Sequence, residues 1–240
     1  NDLVFSKNDF GAGSISQEVF ENTTFDAYSI INKGKMRTRS RTQNEYLTGN
    51  TPNELREVSG EETTTFSINK LKLRYDNFDD TDIKYIALLK TSDAEGLNQT
   101  NSETINTDQF INTEQSPNST SFIQEVSANK QFSYKHTTSL NAKYQTKRQS
   151  NTVDWLFNQP VFSGIIPLID EGEDFNLLQN TREVSNLFRL NLKHYWILDN
   201  FNHIYPIAGL NYFNTDYDNS DAQVLNDGSL NGFESAGFNN

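Results

Sequence analysis

Three histidines, His136, His194 and His203, are the side chains best suited to metal or acid–base chemistry, and no cysteine accompanies them. No two of them stand at a zinc spacing such as i, i+4. His136 and His203 fall in short turn segments, so a turn role is preferred to ligation. Nucleophile chemistry finds no support either. GAGSIS at 11–16 departs from G-x-S-x-G, and GAG alone does not make a phosphate loop. The acidic segments DEGED (170–174) and DYDNSD (216–221) offer oxygens to a loop-bound Ca²⁺. An EF-hand needs Gly at its sixth place, and counting from Asp216 that place holds Asp221. An enzyme is not expected from this set, and a loop Ca²⁺ is the one cofactor left open.

Two other groups could act by contact. Trp155, Phe157, Phe162, Ile165 and Ile166 sit in TVDWLFNQPVFSGIIPLID (152–170), an unusually apolar connection. They either pack on themselves as a folded cap or present a surface to a ligand or partner. Lys70, Lys72, Arg74, Lys84, Lys143, Arg189 and Lys193 alternate with apolar residues. They are expected to line a wet interior, paired with carboxylates or tuning the passage of an anionic solute.

The elements that would hold these residues read as strands. In NLFRLNLKHYWILDNFNHIYPIAGLNYF (186–213), the even positions from Phe188 to Leu198 are apolar except for His194, while Arg189, Asn191 and Lys193 take the other register. Period two sends the two sets to opposite faces. The same hairpin layout recurs at 63–90 about a turn at 76–81, and at 125–147 about a turn at 135–138. The turn of the first hairpin named lies at 199–202. Connections 91–122 and 148–182 are long, and 48–62 reads as a further turn on their side. Aromatic residues cluster beside the short turns: Tyr75, Phe78, Tyr85, Tyr134, Tyr144, Tyr195, Trp196 and Tyr205. One long strand is expected over 25–47, where Arg37, Arg39 and Arg41 alternate with small polar residues, so neither face there suits lipid. About seven strands are visible in all, from the hairpin pattern.

Composition fits this picture. Hydrophobic residues make up only 34% of 240, lean for a soluble core, and the net charge of -12 argues against a nucleic-acid partner. Short turns alternating with long loops are the signature of an outer-membrane barrel, with the short turns periplasmic and the long loops extracellular. The expected fold class is all-β: an antiparallel transmembrane β-barrel segment.

The stretches NTTFDAYSIINKGKMRTRSRTQNEYLTGN, LKLRYDNFDDTDIKYIALLKTSD and KHYWILDNFNHIYPIAGLNYF resemble the barrel of TonB-dependent outer-membrane receptors. The nearest style is the Bacteroidota group with a carboxypeptidase-regulatory-like extension. The resemblance covers most of residues 20–215 and rests on strand and turn style. It implies transport across the outer membrane of a Gram-negative bacterium, with residues 1–240 forming part of one barrel domain. It also implies partners: membrane lipid, the rest of the barrel with its plug, TonB through a region outside this sequence, and a surface lipoprotein or other envelope subunits. Neither plug nor TonB box is found here, and the opening and closing residues read as those of a fragment. The alternatives are a non-transporting barrel within a larger envelope assembly and a secreted glycan-binding β-sandwich.

Overall fold

The computed structural model describes residues 3–45, 53–77, 80–104, 106–160, 166–170, 172 and 174–233. All regular structure among them is β, and all of it belongs to one antiparallel sheet. The strands are β1 (Leu3–Phe20), β2 (Thr23–Asn44), β3 (Glu54–Asn77), β4 (Thr81–Thr104), β5 (Asp108–Gln115), β6 (Asn118–Ser133), β7 (His136–Phe157), β8 (Phe175–Ile197), β9 (His203–Ile204), β10 (Ile207–Val224) and β11 (Leu230–Gly232).

Two of the breaks are made by proline. β5 pairs with β4 over Gly96–Glu103, and β6 continues down the same strand over Thr81–Asp93. Ser116 and Pro117 lie between them, and the Pro117 carbonyl still accepts from Ala94 N–H at 2.9 Å. Proline has no N–H to return, so the ladder is interrupted there without turning. β9 and β10 repeat the arrangement along β8, with Pro206 at the gap accepting from His194 N–H at 3.0 Å. Merging these two pairs reduces the eleven strands to eight long staves and the short β11.

This corrects the expected loops. Residues 91–122 are not a loop: β4 runs to Thr104, and β5 with β6 returns directly. Of 148–182, only the segment between Phe157 and Phe175 connects strands. β3 begins at Glu54, inside the stretch read as a turn, and β1 occupies opening residues for which no strand was expected. In the upper parts of β3, β4 and β5 the alternation had faded because segments with no apolar face are rich in Asn, Thr, Ser and Glu.

Register sorts the side chains into two faces. One row runs Phe25, Leu73, Tyr85, Val126, Ala142, Leu190, Leu210 across seven staves. The row below it runs Tyr75, Ile83, Ala128, Leu140, Leu192, Ala208. From Ile83 to Leu89 this apolar face spans about 20 Å, and none of its described side chains in that band is charged. Many are well exposed, Leu210 at 57% and Tyr212 at 58% among them. Above the band the same face turns ionic. Arg37 pairs with Glu61 at 2.6 Å, Arg41 with Glu57 at 3.3 Å, and Lys35 joins Glu61.

The short turns are held by their own polar groups. In the turn after β8, Asp199 Oδ1 accepts from the Asn202 side-chain amide and from the N–H groups of Phe201 and Asn202 at 2.8 to 2.9 Å. The Asn202 amide, then the backbone donors, hold the Asp199 carboxyl below its ordinary range. The turn between β1 and β2 places Asn22 at φ 59, and its carbonyl accepts from Asp76 N–H at 2.9 Å. That left-handed conformation suits Asn and Gly and penalises β-branched residues. Asn22→Val should therefore lower stability by about 1–2 kcal/mol, read as a drop in the urea unfolding midpoint, whereas Asn22→Gly should leave it nearly unchanged.

Candidate functional site: the charged face

Opposite the apolar band, the other register carries the cations singled out in the sequence. Lys72 pairs with Asp26 at 2.8 Å, and Asp26 also accepts from Ser16 Oγ. Arg74 reaches Asp76 at 2.7 Å and Asp82 at 3.3 Å. Lys70 lies over the Tyr28 ring at 5.7 Å. Lys143 pairs with Glu125 at 3.0 Å. For Lys84, Arg189 and Lys193 no ion pair occurs among the described residues.

Three of these cations converge. Lys143 stands directly across from Arg189 and from Glu125 in the ladder, and Lys84 is across from Ser127 one row below. With Asn141 and Asn191 they line a recess of about 240 Å³ in which Glu125 is the single carboxylate. Like charges on directly opposed strand positions repel, and one carboxylate cannot neutralise three cations. The recess therefore favours an anionic group of roughly carboxylate or phosphate size. The face is not uniformly polar, however. Leu88 opposes Ile123, and Leu187 opposes Phe213, immediately above the charged row.

At the upper end, the same face is covered by a cap. Phe157 stacks on Phe175 with centroids 5.6 Å apart, and Leu177 and Phe233 complete a buried cluster. Trp155, Ile166 and Leu168 pack around it. Gln223, 3% exposed, stitches the connection down: its Nε2 donates to the Ile169 carbonyl at 2.7 Å and its Oε1 accepts from Ile169 N–H at 2.8 Å. Asn158 does the same at the β5 edge, accepting from Phe110 N–H and donating to the Asp108 carbonyl. Of the apolar residues considered for contact, Phe157 is fully buried and thus fills the cap interior, and Trp155 and Ile166 support it. Phe162 and Ile165 lie outside the described residues. Gln223 gave no signal in the sequence, because nothing marks a strand glutamine as facing a folded loop.

Of the two acidic segments, Glu171 and Glu173 of DEGED lie outside the described residues. Asp216–Asp221 is strand rather than loop, so Asp216 and Asp218 share one face and Asp221 takes the other. Among the described residues no three acidic or histidine side chains meet as a metal group. The aromatic residues near the short turns divide between faces. Tyr75, Tyr85, Tyr144 and Trp196 are in the apolar register, whereas Tyr195 packs with His203 and Tyr205 on the charged side. Phe78 lies outside the described residues.

Two histidines do meet. His136 opposes Trp196, and His194 opposes Thr138 on the next row of the apolar face. His136 Nδ1 and His194 Nε2 are 3.3 Å apart, and Thr138 Oγ1 is 2.8 Å from His194 Nδ1. Sequence spacing missed this pair because it joins residues 58 apart through the β7–β8 ladder. Aligning the short turns that end β6 and β8 was the signal that could have found it.

No family model matches the chain, and no curated protein matches it. Among solved structures it is similar to the RagAB peptide transporter, with 9% identity over 96% of this chain and a TM-score of 0.31. It is also similar to the ferric-catecholate import receptor Fiu of E. coli K12 (7% identity, 94% of this chain, TM-score 0.28). The siderophore receptor PiuA of Acinetobacter baumannii aligns at 8% identity over 92% of this chain, with a TM-score of 0.19. The chain spans 37%, 48% and 47% of those three proteins. Likenesses this slight carry no argument, and the two-faced sheet is read from its own register.

The cap supplies a direct test of the charged face's upper boundary. Gln223→Ala leaves the Ile169 amide and carbonyl without their buried partner, a loss of about 1–3 kcal/mol. Faster proteolysis between 158 and 174 and a red shift of Trp155 fluorescence are expected, with the rest of the sheet unchanged.

Proposed function

We propose that this chain is wall for an outer-membrane transport barrel, its apolar face against lipid and its charged face toward the lumen. One observation carries the reading. At a single height along eight staves, one register is free of charge and the other holds Lys70, Lys72, Lys84, Lys143 and Arg189. Water on both sides would leave Leu71, Leu73, Leu190 and Leu210 exposed for nothing, and lipid on both sides would strand the cations. Lipid on one side and a wet interior on the other satisfies both. The ionic face above the band then stands clear of the membrane, as the Arg37–Glu61 and Arg41–Glu57 pairs require.

The short turns at 134–135 and 199–202 are assigned to the periplasm and the cap outside the cell, because the longest connection, between Phe157 and Phe175, lies at the cap end. The finer assignment is TonB-coupled import of a solute in a Bacteroidota-type receptor. The mixed charged and apolar rows of the inner face offer a plug both ion pairs and packing. The cationic recess adds a preference for solutes or plug segments bearing carboxylate or phosphate groups.

The test compares solute depletion from rich medium by wild-type cells, cells lacking this gene, and cells lacking TonB. The same small group of solutes, anionic ones included, should persist in the medium of both mutants. Unchanged depletion in the gene deletion, with altered assembly of other envelope proteins, would replace this account with a non-transporting barrel.

A further inference from the structure

We infer that His136 and His194 form a two-imidazole site for a divalent transition-metal ion at the short-turn rim of the apolar face. The nitrogen separation fits a shared ion. Two nitrogens bound to one tetrahedral ion at about 2.0–2.1 Å lie about 3.3–3.4 Å apart, and His136 Nδ1 and His194 Nε2 are 3.3 Å apart. Their rings are tilted by 34°, with centroids at 5.5 Å, and Nδ1 of one faces Nε2 of the other.

The surroundings prepare the tautomers. Thr138 Oγ1, 2.8 Å from His194 Nδ1, can accept a hydrogen bond from Nδ1–H, which leaves the Nε2 lone pair free to bind. This is the outer partner that metal-bound histidines usually have. Without metal the hydroxyl reverses roles, donating to Nδ1 while Nε2–H donates to His136, since a hydroxyl does both. Metal binding then only moves a proton from Nε2 to Nδ1 and rotates one hydroxyl. Trp196 stacks on His136 at 5.4 Å and fixes the second ring. The site also explains why the apolar stretch of this register, from Phe188 to Trp196, holds one imidazole, at His194.

Imidazole selects Zn²⁺, Ni²⁺ and Cu²⁺ over Mg²⁺ and Ca²⁺. No third acidic or histidine ligand is present among the described residues, so water completes the coordination and the ion exchanges with solvent. His203 sits on the opposite face against Tyr195 and takes no part.

Cu²⁺ titrated into the native protein in detergent, followed by electron paramagnetic resonance, should give a two-nitrogen pattern. His136→Ala and His194→Ala should each reduce it to one nitrogen, and Thr138→Val should weaken binding by about tenfold or more. His203→Ala should leave it intact. A two-nitrogen pattern that survives both alanine variants, or no such pattern in the native protein, overturns the site. Wild-type protein provides a measure that needs no variant. Labelled imidazole nitrogens of His136 and His194 should shift together on adding Zn²⁺ while those of His203 stay in place, and a shift in neither contradicts the assignment.

Discussion

The backbone hydrogen-bond register is the constraint on which everything else depends. Side chains alternate with a period of two, so a slip of one residue in any ladder moves a whole stave's side chains to the wrong face. Slipping β7 against β8 would put Lys143 among Leu190 and Leu192 and turn Ala142 toward Arg189. In hydrocarbon each such cation is costly, and each unpaired backbone group more so. The short turns set the register at one end, through Asn22 and Asp199, and the cap fixes it at the other through Gln223 and Asn158. Between these ends the faces need no further specification.

The staves are longer than the apolar band, and this division has a physical consequence. Residues near the short turns are sorted by the polarity of what lies on each side. Residues above the band are held by cross-strand pairs of the kind seen between Arg37 and Glu61. Proline is tolerated at Pro117 and Pro206 because a stave can lose one ladder bond and keep its neighbours on both sides. The eight staves still leave β1 at one edge of the described sheet and β11 at the other.

Legibility in the sequence followed the same division. The hairpins about 76–81, 135–138 and 199–202 were readable because one face there is apolar and the alternation is strong. The upper half of β4 and β5 were not, because Thr, Asn, Ser, Gln and Glu occupy both registers there; in β1, Phe5, Phe10 and Ile15 stand five apart and so fall in alternating registers. The cations of the second register were readable as a set, but their pairing was not: only the ladder brings Lys143 to Glu125 and leaves Arg189 beside it. The apolar segment at 152–170 announced itself, and its role as a cap depended on Phe233 and Gln223, far along the chain. His136 and His194 were each visible, and their meeting was hidden in the register of β7 and β8.

The central claim is that the two registers of one stave face different media. Nitroxide labels placed singly from position 184 to 196 on β8, with the protein in bilayers, test it directly through collision with oxygen and with a water-soluble nickel chelate. Lipid on one side predicts a period of two, with even positions from 188 to 192 open to oxygen and odd positions open to the chelate. Equal access to the chelate at both registers would contradict the account.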